Sequence, residues 1–288
     1  MSIKKYLSSL ESIGNRKILI TGPTAGIGLA FVKTLLLKGA TNLVFLAINK
    51  EKSYKIIAEL KEKYSSASIS FVHFDQSDYK CIDEAIKEIV SSHSDFDSLV
   101  CNAGILHPNP EAKSSQGYPL TIDTNFIGLA YFIKNLLPKI EPGKTIIFQG
   151  SCVAGFKVKE DIDLINNSLS LWGQYNLSKA GVESLFYYYY TSNKDHKFIL
   201  AEPGITSSDL FKNLNRTFAT LGRQLIKTVS HSLNKACLTL YKGIEKSSSS
   251  GDYYVPRGIG TYMGLPKKKK FPKKRRRQYL AKKAFDLI

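Results

Sequence analysis

Seven short apolar runs recur along the chain, each separated from the next by a longer segment of mixed character: KILIT at 17–21, LVFLAI at 43–48, SISFVHF at 68–74, SLVCNAG from 98, KTIIFQG from 144, KFILAEPG from 197 and DYYVP from 252. Runs this uniformly apolar suit strands buried on both faces, which occur mainly in parallel sheets whose strands are joined by helical crossovers. Between them, LAFVKTLLLKG has helical apolar spacing and ends in Gly39, a plausible stop. The expectation is an α/β fold with one doubly wound parallel sheet of about seven strands.

Length and composition fit that expectation. At 288 residues, 43% apolar and 23% charged, the chain can bury a large core and has no signature of disorder. Its four cysteines are widely spaced, with no CxxC and no interleaved histidines, so they read as free thiols in a reducing compartment and no metal site is expected. The N-terminus lacks the apolar core of a signal peptide, and the longest hydrophobic stretch, 126–133, falls short of the ~20 residues that span a bilayer. A cytoplasmic protein is expected. Charge is the unusual feature: residues 266–288 hold eight Lys, three Arg and one Asp, a net +10 of the formal +17. The organisation expected is an N-terminal segment (1–14), a catalytic domain (15–262) with a substrate lid region (205–235), and a basic tail (263–288) containing a short amphipathic helix.

The first apolar run leads into Thr21-Gly22-Pro23-Thr24-Ala25-Gly26-Ile27-Gly28 and then a helix. Glycines there let the backbone turn tightly and approach a pyrophosphate, and the helix offers its free N–H groups to it. Such a turn can also bind nothing. Further on, Tyr175 and Lys179 stand four apart in YNLSK, on one helix face. An ammonium beside a phenol favours the phenolate and brings it toward the working range of a general acid or base. Taken alone, that spacing is as well explained by a surface pair.

TGPTAGIG, CNAG at 101–104, Asn125 in TNFIG, Tyr175-xxx-Lys179 and Pro203-Gly204 occur in one order. Together they resemble the short-chain dehydrogenase/reductase family over roughly residues 15 to 260. The resemblance implies a single Rossmann-type domain that binds NAD(H) or NADP(H) and interconverts a carbonyl and an alcohol by hydride transfer. It further implies that Gly22, Thr24, Gly26, Ile27 and Gly28 form the phosphate-binding turn, that Asp75 caps the adenine, and that Asn102, Ala103 and Gly104 line the adenosine side. Tyr175 would protonate the developing alkoxide, and Lys179 would lower its pKa and hold the nicotinamide ribose. Asn125 would position a water, and Pro203, Gly204 and Thr206 would lie beside the carboxamide. At the end of the second strand, Asn49-Lys50 stands where an NAD-preferring site usually has a carboxylate. Lys50 could meet a 2′-phosphate, so NADP(H) is favoured and NAD(H) remains an option.

The family's substrate-orienting serine precedes a segment like Val153-Ala154-Gly155, where this chain has Cys152, with Ser151 one place earlier. Neighbours on a strand face opposite ways, so both cannot take that role without a local bend. Three readings follow: the thiol as a weaker donor, Ser151 turned inward by an irregular strand end, or a catalytically weak NADP(H)-binding regulatory or scaffold protein.

Beyond Pro203-Gly204, Phe211, Leu214, Phe218, Leu221 and Leu225 have the spacing of one apolar helix face, bordered by Lys212, Arg216, Arg223 and Lys227. That face implies either a lid over a small to medium apolar carbonyl or alcohol substrate or ordinary packing. The order of elements toward the C-terminus looks most like the retinol-dehydrogenase-like branch. The basic tail interleaves Lys and Arg with Phe271, Tyr279, Leu280 and Phe285, a composition suited to an anionic membrane surface, where the apolar side chains would insert. Nucleic acid as main partner rests on charge alone. The apolar helices around Asn125 to Leu137 and Glu183 to Tyr190 suggest a homodimer.

Overall fold

The computed structural model describes residues 2–166, 168–206 and 230–288. Its centre is one eight-stranded sheet of order β3-β2-β1-β4-β5-β6-β7-β8. The strands are β1 (Lys17–Thr21), β2 (Asn42–Ala47), β3 (Ser68–His73), β4 (Ser98–Cys101), β5 (Thr145–Gln149), β6 (Lys197–Ala201), β7 (Tyr253–Pro256) and β8 (Pro266–Lys269). All neighbours pair in parallel except β7 with β8. Ile18, Leu19, Ile20, Leu99, Val100, Ile146, Ile147 and Phe148 are almost wholly buried, as strands covered on both faces require. The sheet corresponds to the seven apolar runs plus one strand drawn from the basic segment.

Helices cover both faces. In chain order they are α1 (Ile3–Ser8), α2 (Gly26–Leu37), α3 (Lys50–Lys63), α4 (Tyr79–Ser92), α5 (Leu120–Ile122), α6 (Gly128–Leu136), α7 (Leu171–Ser192), α8 (Leu233–Ala236), α9 (Leu238–Ile244) and α10 (Gln278–Phe285). One core cluster joins β1 and β2 with α2, α3 and α9; the other lies between the opposite sheet face and α4, α6, α7 and α10. The first residues belong to the former cluster through Tyr6, Leu10 and Ile13. Among the described residues, no helix is long and apolar enough to cross a membrane. The apolar face expected over Phe211, Leu214, Phe218, Leu221 and Leu225 lies outside the described residues.

The basic segment is folded onto the body, and this corrects the expectation that its apolar side chains insert into a membrane surface. Phe271, Leu280, Ala281 and Ala284 are buried, with Phe271 against Phe186 and Tyr253 and Phe285 against Tyr188 and Tyr189. These side chains are committed to the core and cannot also insert into a bilayer. They also pack on aromatic side chains of Glu183 to Tyr190, one of the two helical stretches behind the dimer expectation. Arg275 is buried beside Glu183 and Glu202; its Nε donates to Glu183 Oε2 at 2.8 Å and its guanidinium pairs with both carboxylates. A buried arginine needs such partners, because an unpaired charge in the interior costs several kcal/mol. Lys269, Lys270, Lys273 and Lys274 remain exposed.

Candidate active site

The strand order reverses between β1 and β4, and in open α/β sheets ligands bind in the crevice beyond the carboxyl ends of the strands at that point. A crevice of about 810 Å³ opens there. Its floor is the turn after β1. Gly22 (φ 65°) and Gly26 (φ 51°) adopt left-handed backbone that other residues rarely tolerate, and a Cβ on Gly26 would meet nothing within 4 Å. Gly28 serves a different need: a Cβ there would lie 2.1 Å from the Gly22 carbonyl oxygen, so only glycine lets α2 start this close to the turn. No side chain caps α2 at Ala25, which leaves first-turn N–H groups for an anion. Thr24 and Ile27 line the same floor.

Asn102 fixes this turn to β4. Its Nδ2 donates to the carbonyls of Thr21 and Gly22 at 2.9 and 3.1 Å, while the Thr21 hydroxyl accepts from the N–H groups of Asn102 and Ala103. These bonds let the Gly22 turn and Ala103-Gly104 form one wall. Beyond β2, the structure brings Asn49 to the crevice but not Lys50; Lys52, two residues further along α3, lines it instead. Asn49 caps α3 by accepting from the Lys52 N–H at 2.8 Å, and the helix direction this sets decides which lysine faces inward. Asp75 is also turned away, its carboxylate accepting from the N–H and hydroxyl of Ser77, and Phe74, Gln76 and Thr124 line the wall in its place. Gln76 Nε2 donates to the Thr124 carbonyl at 2.5 Å. The spacing of Lys52 from Asn49 was a readable signal; nothing in the sequence singled out Gln76.

At the other end of the crevice stand Ser151, Cys152, Tyr175 and Lys179, with Pro203, Gly204 and Thr206 opposite. Strand β5 stops at Gln149, and the chain turns into a short 3-10 helix at Cys152–Gly155 that Ser151 caps by accepting from the Val153 N–H at 3.5 Å. This bend removes the strict alternation of a strand. The bend thereby brings Ser151 to the same end of the crevice as the Tyr175 phenol. Cys152 shares the wall, but burial pushes its thiol up to about 11, so it stays protonated and is a poor nucleophile.

Tyr175 and Lys179 both line the crevice and are both buried. Burial pushes the Tyr175 phenol well above its ordinary value, and the neighbouring Ser151 hydroxyl acts in the other direction. Lys179 donates from Nζ to the Gln149 carbonyl at 3.2 Å; burial pulls its ammonium down to about 8, with the Glu183 carboxylate acting in the opposite sense. Asn125 lies behind the crevice wall, in the π-helical turn Asp123–Ile127. Its side chain accepts from the Ile105 N–H at 2.7 Å and donates to the Ile105 carbonyl and the Ser178 hydroxyl at 2.8 and 3.0 Å. It therefore joins the 102–105 wall to α7, and π-turns of this sort recur at functional sites. Leu106, Pro108, Val153 and Trp172 add an apolar rim, and Trp172 meets Tyr175 edge-on at 6.4 Å between ring centroids. Sequence reasoning passed over Trp172, although it stands one helical turn before Tyr175.

A family model described as short chain dehydrogenase matches residues 16–218. The chain belongs to the short-chain dehydrogenase/reductase family. Its relatives include the short-chain dehydrogenase/reductase pkfC of Emericella nidulans, 28% identical over 221 residues, which are 70% of each chain. An oxidoreductase of Saccharomyces cerevisiae is 24% identical over 86% of this chain and 89% of its own. The crystal structure of that yeast protein matches with a TM-score of 0.63, covering 83% of this chain and 95% of that one. L-sorbose reductase of Gluconobacter frateurii, solved with NADPH and L-sorbose, has a TM-score of 0.64 at 18% identity and covers 84% of this chain and 95% of its own. Proteins of this family are oxidoreductases that use a nicotinamide dinucleotide. The positive-φ glycines, the uncapped start of α2 and the open space at Gly26 fit the diphosphate of such a cofactor.

Proposed function

We propose that the chain interconverts a carbonyl and an alcohol on a small to medium apolar substrate, with NADP(H) as its preferred cofactor. The observation that carries this reading is the meeting of Ser151, Tyr175 and Lys179 at one end of the crevice, the last two buried and one turn apart on the same helix. When bound, the dinucleotide supplies or accepts the hydride. Ser151 and Tyr175 hold the substrate oxygen between two hydroxyl donors, and Tyr175 passes its proton to that oxygen as negative charge develops. A positive Lys179 favours the phenolate left behind, so its charge assists the same step in either direction. Gly22, Gly26 and Gly28 receive the diphosphate, Lys52 favours a 2′-phosphate, and Pro203, Gly204 and Thr206 border the nicotinamide end. The NADPH in the L-sorbose reductase complex is consistent with that choice.

Leu106, Pro108, Val153 and Trp172 favour an apolar substrate, in keeping with the resemblance to the retinol-dehydrogenase-like branch. Exposed Lys269, Lys270, Lys273 and Lys274 supply an electrostatic attraction to anionic membrane surfaces, without apolar insertion. The test is NADPH oxidation with a panel of apolar aldehydes and ketones, wild type beside Tyr175→Phe. The expected result is a loss of about 10²- to 10⁴-fold in turnover with NADPH binding retained. Equal turnover by the two proteins would remove Tyr175 as the acid, and a cofactor-bound wild type inert across the panel would reject the substrate class.

A further inference from the structure

The wall that carries Ser151 continues to Ile162, and its main-chain hydrogen bonds are short-range turns: Ala154 to Ser151, Phe156 to Val153 and Ile162 to Lys159. A second set of bonds comes from the far end of the chain. Arg275 Nη2 donates to the Ser151 carbonyl at 3.3 Å, and Arg277 donates from Nη1 to Ala154 and from Nη2 to Phe156 at 2.7 and 2.8 Å. The Tyr279 hydroxyl donates to Val158 at 3.2 Å, and Lys283 Nζ to Ile162 at 3.1 Å. Four side chains of residues 275–283 thus meet five carbonyls spread over residues 151–162, in matching order.

The donors are themselves fixed to α7, the helix that holds Tyr175 and Lys179. Leu280, Ala281 and Ala284 are buried in the cluster containing α7. Ser184 of α7 accepts from the Ala281 N–H at 2.8 Å and donates to the Arg277 carbonyl, while Arg275 pairs with Glu183 of the same helix. Wall and helix are therefore both referred to one segment, so the separation of Ser151 from Tyr175 depends on it. Arginine suits this position because one planar fork can hold two carbonyls at once, and charged donors make the stronger hydrogen bonds.

We propose that residues 275–283 form a strap that registers the Ser151–Phe156 wall against α7, with Arg277 as a positioning residue for the substrate side of the site. The catalytic half of this proposal rests on the reading that Ser151 and Tyr175 hold the substrate oxygen. Displacing a reacting group by about 1 Å can lower a rate on the order of 100-fold, so a small loosening of the wall would register in turnover.

The test compares full-length wild type, Arg277→Gln and Arg277→Lys by hydrogen–deuterium exchange, NADPH affinity, thermal unfolding and kinetics on the aldehyde and ketone panel. In Arg277→Gln, amides of residues 152–158 should exchange about tenfold faster while the β1 and β4 amides keep their protection. Its kcat should fall about tenfold with NADPH affinity within about twofold of wild type, and Arg277→Lys should recover part of kcat. Unchanged exchange at 152–158 with a wild type that turns over would overturn the strap alone. A fall in kcat matched by equal losses of NADPH affinity and of protection throughout the sheet would also overturn it, as a general destabilisation. A wild type inert across the panel, with faster exchange confined to 152–158 in Arg277→Gln, would reject the carbonyl reading and support the strap's hold on the wall.

Discussion

Lys179 donates from Nζ to the main-chain carbonyl of Gln149 at 3.2 Å and is itself almost wholly buried. A lysine held there resists charging, because the interior solvates an ammonium poorly. Its folded value of about 8 lies below the ordinary 10.5. The stability linked to this group is therefore complete above 10.5, is lost as pH falls toward 8, and is level below that. Replacing it by Met should stabilise the protein at neutral pH by about 3 kcal/mol more than at pH 10.5. Urea melts of wild type and Lys179→Met between pH 7 and 10 measure this, and an advantage of the Met variant that grows with pH would contradict it.

Arg275 is the counter-charge to two buried carboxylates, Glu183 and Glu202. Arg275→Met should cost about 3–5 kcal/mol, because it leaves both acids without their cation. Adding Glu183→Gln and Glu202→Gln to that variant should recover a large part of the loss. Denaturant unfolding of the single and triple variants gives both numbers. A loss in Arg275→Met below about 1 kcal/mol would mean that the carboxylates do not depend on it.

Ser151 and Cys152 can be separated by paired substitution. Ser151→Ala removes the hydroxyl that shares the crevice with Tyr175 and should lower kcat about 10²- to 10³-fold, as losing one preorganised donor does. Cys152→Ala should retain kcat within a few-fold. The reverse order in steady-state assays would place the thiol at the substrate oxygen.

For cofactor choice, Lys52 lines the crevice and Lys50 does not. Lys52→Ala should weaken NADPH about tenfold relative to NADH, equivalent to about 1.4 kcal/mol, while Lys50→Ala should leave the ratio unchanged. Titrations followed by cofactor fluorescence read both constants. Equal affinities for NADPH in wild type and Lys52→Ala would remove this lysine from the 2′-phosphate site.

The parts of this protein that could be read from its sequence are those set by local spacing. Buried parallel strands announce themselves as apolar runs such as Thr145–Gln149, because both faces are covered whatever the details of the covering. The glycine turn at Gly22 and Gly26 is legible because backbone strain is a property of the residue itself, and the shared face of Tyr175 and Lys179 follows from helix geometry alone. Other features depended on where the chain bends or on partners far away in sequence. Ser151 shares the crevice with Tyr175 because β5 ends at Gln149, and Lys52 rather than Lys50 lines it because Asn49 sets the start of α3. Asp75 turns to Ser77, leaving Gln76 on the wall. The basic segment misled most. A count of charges cannot tell a solvated arm from one whose Arg275 lies between Glu183 and Glu202, 92 and 73 residues away. Sequence spacing determined the sheet, the cofactor turn and the Tyr–Lys pair. Only the tertiary structure decided which side chains meet at the crevice and what the terminal arginines hold, because burial and charge pairing are properties of segments brought together by folding.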